Sequence, residues 1–284
     1  MSSHEFSNPT LIHLCRSCPE SQFIGGSKYG NRVIKISDDL VVKFGPGVSS
    51  HEAMNQMKAL ELVDSSIVQV PRVHRFFTDN SGWGYILMDY IEGRMIDSVS
   101  EHHVEIIANI LRHFRSITRN LPGSLSGGPS TGILWPDTND LTITNVSQIE
   151  EWFNSRLFEG QGQVTFQPCD LVLCHLDIAP RNIIWKDDNS ICLLDWASAG
   201  FYPRILEHIS QCIKEEAFNT RVLHAMDPIS KLEMEQKERI CQAIYNNQKF
   251  LFRRIDPDEE ALYKGPSDRI FPLPPPPTIG LLQI

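Results

Sequence analysis

The sequence has no run of eighteen apolar residues, and its opening Met1-Ser-Ser-His-Glu-Phe6 has no basic segment followed by an apolar stretch. Neither a membrane-spanning helix nor a secretory leader is expected, and a cytoplasmic location is. Basic residues are in short supply: 26 Lys and Arg stand against 35 Asp and Glu, a formal net charge of -9. Holding nucleic acid by its phosphates takes clustered cations, so no nucleic-acid partner is expected. An even set of cysteines is also lacking. The 7 cysteines are spread through apolar segments, which fits reduced thiols better than a disulfide framework. Cys15 and Cys18 form one Cys-x-x-Cys, but no second pair stands at a plausible zinc-ligand distance, so no metal or redox role is assigned to them. Internal repeats and long linkers are absent too.

What is present suffices for a large core. With 284 residues of which 41% are hydrophobic, the chain can fold as one large domain or as two lobes. After a helical or irregular lead containing Leu11, Ile12 and Leu14, two short β-branched runs, Asn31 to Ser37 and Leu40 to Phe44, flank Asp38-Asp39 as a hairpin would. His51 to Val63 carries Ala53, Met54, Met57, Leu60 and Leu62 at roughly helical spacing, with Ser49 and Ser50 as candidate caps. Val70 to Phe77 and Trp83 to Ile91 read as two further strands joined by the turn-rich 78–82 segment. Val104, Ile107, Ala108, Leu111, Phe114 and Ile117 then mark an amphipathic helix that opens a mainly helical second lobe, which puts a boundary near Tyr90. The Gly-, Ser- and Pro-rich stretch Pro122 to Asp140 reads as a surface loop, and helices are expected over Ser147 to Phe158, Leu206 to Phe218 and Lys231 to Phe252. Pro272-Leu-Pro-Pro-Pro-Pro277 cannot continue a helix and gives residues 271–284 the character of a Pro-rich tail.

The most informative segment is His175-Leu-Asp-Ile-Ala-Pro-Arg-Asn182, followed by Leu193-Leu-Asp195-Trp. It supplies a carboxylate, an amide and a second carboxylate at the spacing that phosphoryl transfer uses for a substrate hydroxyl and for metal ions on a nucleoside triphosphate. Asp177, entered from the apolar Leu171-Val-Leu-Cys174, is the candidate base that takes or orients the hydroxyl proton. Asn182 and Asp195 offer the oxygen ligands that a hard magnesium ion prefers. Ile183-Ile-Trp185 and Ile191 to Leu194 read as strands joined by the turn Lys186 to Ser190, a hairpin that brings Asn182 and Asp195 to one end. His175 reads as a structural hydrogen-bond partner of this loop.

In order and spacing the two motifs resemble those of the aminoglycoside phosphotransferase and choline kinase superfamily, whose loop has the form His-Gly-Asp-x-x-x-x-Asn and whose metal aspartate ends a strand as Ile-Asp-Trp or Ile-Asp-Phe. Leu193-Leu-Asp-Trp-Ala-Ser-Ala-Gly-Phe-Tyr-Pro203 and Gly123-Ser-Leu-Ser-Gly-Gly-Pro129 look most like its fungal members. The resemblance runs from about Ser21 to Glu207. It implies an α+β, two-lobed protein-kinase-like fold, with a small antiparallel-sheet lobe over residues 1–90 that binds nucleotide and a mainly helical catalytic and substrate lobe over 91–270. It further implies ATP or GTP with Mg2+. Lys43 would contact the phosphates and Glu52 would pair with it; the Gly25 to Gly30 turn, with Gly25, Gly26 and Gly30, would cover them. Met88 to Ile91, with Met88 and Tyr90, would be the hinge against the base. One departure stands out: Leu176 occupies the position where the family has glycine.

A protein kinase would carry Asp-Phe-Gly, a long activation segment and Ala-Pro-Glu. Here Asp195-Trp-Ala is followed within a few residues by Gly200-Phe-Tyr-Pro203 and Ile205-Leu-Glu207, so a small-molecule hydroxyl acceptor is the better expectation. Glu207 and the cluster Asp256, Asp258, Glu259 and Glu260 could hold a cationic acceptor, while solvated charge explains the cluster equally well. A non-catalytic nucleotide binder stays open as an alternative, with a protein kinase ranked below it.

Overall fold

The computed structural model describes residues 6–27, 29–96, 98–135, 141–166, 169–214 and 216–250. The Pro-rich tail, the acidic cluster at Asp256 to Glu260, the end of the helix expected to reach Phe252, residues 136–140 of the expected loop and Lys28 of the glycine-rich turn lie outside the described residues.

The first part of the chain runs α1 (Asn8–Ser17), β1 (Phe23–Gly26), β2 (Arg32–Lys35), β3 (Leu40–Gly45), α2 (Ser50–Leu62), β4 (Val73–Thr78) and β5 (Gly84–Asp89). Its strands form one antiparallel sheet in the order β1-β2-β3-β5-β4. Alternation along β3 sorts its side chains. Leu40, Val42 and Phe44 join Tyr85 and Leu87 of β5 in a core closed by Leu11 and Cys15 of α1, while Val41 turns the other way with Ile86 and Met88. Lys43, between Val42 and Phe44, therefore faces the second side, towards the cleft. The lead before the sheet is a helix because Ser7 caps it, its Oγ accepting the Thr10 N–H at 3.3 Å, and full burial of Leu11 contributes about 2 kcal/mol.

α2 departs from its apolar pattern. Ser49 caps it as expected, but the buried face carries Glu52, Asn55 and Gln56, whereas Met54, Met57 and Leu60 are exposed. The polar residues are turned inwards because each finds a partner in the interior. Gln56 Nε2 donates to Pro71 O at 2.7 Å, and Asn55 Nδ2 donates to the carbonyls of Trp196 and Ala197 at 3.1 and 2.9 Å. Asn55 Oδ1 in turn accepts from Ser124 Oγ and the Ser126 N–H, so one buried amide ties this helix to two segments of the lobe below.

The second part contains α3 (Glu101–Ser116), β6 (Thr118–Arg119), β7 (Gly123–Ser124), α4 (Val146–Asn154), β8 (Leu171–Cys174), β9 (Ile183–Trp185), β10 (Ile191–Leu193), β11 (Gly200–Pro203), α5 (Ile205–Cys212), α6 (Ala217–Ala225) and α7 (Lys231–Lys249). Val104, Ile107, Leu111 and Phe114 of α3 are buried on one face against Leu173, Ile183, Leu193 and Trp196. The architecture is α+β and two-lobed, a protein-kinase-like arrangement of an antiparallel sheet lobe and a mostly helical lobe, and residues up to Phe250 form a single body. No helix among the described residues is long and apolar enough to cross a membrane.

Two elements of this lobe go beyond, or correct, what the sequence indicates. Gly200–Pro203 is a strand, β11, which pairs with β8 and β7 in a sheet of order β6-β8-β11-β7. The single helix expected over Leu206 to Phe218 is two, α5 and α6, separated near Ile213 and Lys214. The β9–β10 hairpin has the strands and turn read from the sequence. It also anchors the chain between the lobes, since Arg94 and Trp185 exchange two backbone hydrogen bonds of 2.9 Å. Gly93 permits that crossing: a Cβ there would sit 2.5 Å from Ile184 Cγ2.

Candidate active site

β8 delivers the chain into the 175–182 loop, whose backbone is held from two sides. His175 is fully buried; its Nδ1 accepts the Asp177 N–H at 3.2 Å and its Nε2 lies 3.1 Å from the Leu194 carbonyl, which places the ring proton on Nε2. Burial holds its pKa below the usual histidine value, so the ring is neutral and acts as a strut between this loop and the residue before Asp195. The loop also turns through a left-handed residue: Leu176 has φ 64. Glycine takes that conformation freely, so the departure noted in the sequence is a departure in backbone strain, of about 1–2 kcal/mol. Glu207 of α5 meets the strained turn, its Oε2 accepting the N–H groups of His175 and Leu176 at 2.7 and 3.0 Å. Glu207 is therefore not a surface carboxylate awaiting a cationic acceptor; it is buried and bonded to the loop.

The hairpin brings the second motif alongside. The Leu194 N–H donates to Asn182 O at 2.9 Å, which sets Asp195 next to Asn182 at the open end of β9–β10. Asp195 is itself left-handed, with φ 61. Its Oδ1 lies 3.2 Å from Lys43 Nζ, and Lys43 Nζ lies 2.5 Å from Glu52 Oε1, so a strand, a helix and the hairpin end converge on one ammonium. Burial alone would lower the Lys43 pKa; the carboxylates of Glu52 and Asp195 raise it instead, and Lys43 is a cation at neutral pH.

These groups line a cavity of about 530 Å³ between the lobes, which also includes Gly25, Gly26, Met88, Tyr90 and Asn182. Gly30 does not line it; its N–H closes the turn onto Ser27 O at 3.2 Å. At the hinge the Asp89 and Tyr90 N–H groups are already used, by Arg72 O and Asp39 O at 3.0 and 2.8 Å. The Ile91 N–H, at the end of the Met88 to Ile91 linker, has no protein partner among the described residues.

Asp177 faces an adjoining cavity of about 500 Å³ lined by Gly132, Ile133, Ser198, Ile213, Lys214 and Glu216, and Arg181 borders both cavities. Four donations reach its carboxylate. Arg181 Nη2 reaches both oxygens at 2.7 and 2.9 Å, Asn182 Nδ2 reaches Oδ2 at 2.8 Å, and Lys214 Nζ reaches Oδ1 at 2.9 Å. Burial by itself would raise the Asp177 pKa, but Lys214 and Arg181 outweigh it and hold the carboxyl below its usual range. Lys214 was not legible as a site residue, because it stands 37 residues beyond Asp177, inside what reads as a continuous helix.

The donor set at the cleft suits magnesium. Asn182 commits its amide nitrogen to the carbonyl and carboxylate of Asp177, which turns its Oδ1 away as a free neutral oxygen beside the anionic Asp195. Among the described residues no group of three or more His, Cys, Asp or Glu side chains could hold a metal. Two protein oxygens completed by phosphate and water is the arrangement that this reluctantly dehydrated ion takes.

Comparison with known proteins bears on the fold and the family. A search of curated protein sequences gives no match. Among solved structures, aminoglycoside phosphotransferase APH(4)-Ia superposes with a TM-score of 0.54 at 11% identity, covering 84% of this chain and 89% of that one. A thermostable mutant of the same enzyme in ternary complex with AMP-PNP and hygromycin B gives 0.53 at 11% identity, covering 85% and 90%. The GDP and kanamycin complex of APH(2")-IIia gives 0.52 at 10% identity, again covering 85% and 90%. At these identities the likeness is one of fold. The sequence itself matches the APH phosphotransferase enzyme family over residues 23–225, well over half its length, and the chain belongs to that family.

Proposed function

We propose that the protein transfers the γ-phosphoryl group of ATP or GTP to a hydroxyl of a small molecule. The observation that carries the reading is the convergence on Lys43 of Glu52 and Asp195 in the cavity that also contains Asn182, one residue from the Arg181 boundary with the Asp177 cavity. In this reading residues up to Tyr90 form the nucleotide lobe, and the helical lobe carries the chemistry and the acceptor. Lys43 binds the phosphates, held in place by Glu52. Gly25 and Gly26 let the β1–β2 hairpin approach them closely, and the Met88 to Ile91 linker meets the base. Asn182 and Asp195 are the residues that would hold Mg2+, which when bound supplies charge neutralisation for the phosphates.

The acceptor enters by the Asp177 cavity. Its hydroxyl oxygen forms a bond to the γ-phosphorus as the bond to the β–γ bridging oxygen breaks, the nucleoside diphosphate leaves with that electron pair, and Asp177 receives or orients the hydroxyl proton. No covalent enzyme intermediate is required. The two cations on Asp177 keep it ionised, so its main service is orientation, as befits a transfer in which positioning matters more than basicity. A small acceptor is favoured because α5 begins at Ile205, leaving little chain after Asp195 for an activation segment. The solved relatives in complex with hygromycin B and kanamycin make aminoglycosides one class to test. The likeness to fungal members rests on the sequence words alone.

The test is incubation with ATP or GTP, Mg2+ and a panel of aminoglycosides, choline-like amines, sugars and hydroxylated natural products, with mass detection of the added phosphate. A phosphorylated acceptor and stoichiometric nucleoside diphosphate are expected; nucleotide binding without transfer to any acceptor would favour a non-catalytic binder.

A further inference from the structure

We infer that Lys214 is a positioning residue for Asp177, fixing the base from the junction of α5 and α6. The inference rests on the phosphotransferase reading, in which Asp177 meets the acceptor hydroxyl. Its ground is geometric. Lys214 Nζ donates to Asp177 Oδ1 at 2.9 Å and to the Ile178 carbonyl at 3.1 Å, and its side chain is only 7% exposed. Arg181, the other cation on Asp177, is 58% exposed and belongs to the loop itself, so it moves with the residue it contacts. Lys214 comes from outside the loop and gives Asp177 an external reference.

The surrounding bonds make that reference stiff. Asn219 of α6, fully buried, donates from Nδ2 to the same Ile178 carbonyl at 3.2 Å and to Gln211 Oε1 at 2.6 Å. Gln211 in turn donates to Glu207 Oε1 at 3.4 Å, and Glu207 Oε2 holds the His175 and Leu176 N–H groups. The loop is thus clasped at its start by α5 and after Asp177 by the α5–α6 junction, and Lys214 is the one member of the clasp that reaches the reacting carboxylate.

The charged and titratable groups facing Asp177 are Lys214 across the cavity and Arg181 and the neutral His175 from its own loop, with Glu216 lining the same cavity. Removing Lys214 takes away the cation on Asp177 that comes from outside its loop, so the carboxylate is no longer held in the geometry the acceptor hydroxyl needs. In Lys214→Met, a substitution of similar length, kcat is expected to fall roughly tenfold or more, with the nucleotide KM little changed. Lys214→Arg should restore most of the lost turnover. An unchanged kcat in Lys214→Met, or a loss confined to nucleotide KM, overturns the inference.

A second arm needs no turnover. A crystal structure of Lys214→Met should show the Asp177 carboxylate displaced, or spread over more than one conformer, relative to the parent. If no acceptor or nucleotide is turned over, the phosphotransferase reading fails while this comparison still decides whether Lys214 fixes Asp177; an Asp177 side chain unmoved and single in the variant sinks the inference.

Discussion

Glu207 holds Leu176 in a backbone conformation that leucine ordinarily avoids: the Leu176 N–H donates to Glu207 Oε2 at 3.0 Å while its φ stands at 64. The same oxygen takes the His175 N–H, so a single buried carboxylate satisfies two donors that have no other means of escape from the interior. Glu207→Ala leaves both unpaired and should cost roughly 2–6 kcal/mol, at one to three for each stranded donor. Urea unfolding measures this. Glu207→Gln keeps an accepting oxygen and should cost clearly less; equal losses in the two variants would mean that the carboxylate's charge, and not its hydrogen bonds, stabilises the turn.

The two motif aspartates should separate by kinetics. On the proposed roles Asp177→Asn lowers kcat by ~10²–10⁴ while leaving nucleotide affinity close to that of the parent. Asp195→Ala should abolish the dependence of nucleotide binding on Mg2+, read by calorimetry with and without the metal. If Asp195→Ala binds nucleotide with undiminished metal dependence, the metal belongs elsewhere.

Acid should loosen the fold through its buried histidines. Burial first, then Arg204 and Lys237, lower the His208 pKa to about 4 from the ordinary 6.5. Between those values the unfolded chain binds the proton and the folded chain does not, so stability is present above about 6.5 and is lost as pH falls towards about 4. His175 acts in the same direction. His208→Gln should flatten the stability profile across that window by up to about 3 kcal/mol. Chemical denaturation at pH 7 and pH 5 compares the two proteins, and parallel profiles would show that His208 does not titrate with folding.

Asn55→Leu should cost about 2–4 kcal/mol, since it strands acceptors and donors that the amide now satisfies. Hydrogen exchange should then rise together in α2 and in the Ser124 to Ser126 segment, although these lie far apart in the chain. A rise confined to α2 would show that the amide serves only its own helix.

Much of this arrangement is legible in the sequence, for reasons that are local. The β9–β10 hairpin follows from two short apolar runs around a polar turn, and it alone brings Asn182 near Asp195. Lys43 is singled out by the family resemblance, and strand alternation along β3 then accounts for the face it takes. What escaped has long-range causes. The apolar positions of α2 suggested the wrong inward face, since Glu52, Asn55 and Gln56 are buried for the sake of partners in distant segments. β11 escaped because a Gly-Phe-Tyr-Pro strand of four residues exists only when β8 and β7 lie on either side of it. Lys214 escaped because a helix break has no strong residue signal here, and Glu207 because a carboxylate beside a turn looks the same in sequence whether it meets solvent or backbone.

Asn55 bears on how the cleft can move. Its side chain has no exposed surface and bonds to the carbonyls just beyond Asp195 and to the Ser124 to Ser126 segment. α2 is thus riveted to the lower lobe and cannot serve as the lever that withdraws Glu52 from Lys43, because any swing would shear several buried hydrogen bonds at once. On the proposed reading, any opening of the cleft to nucleotide has to come from elements other than α2.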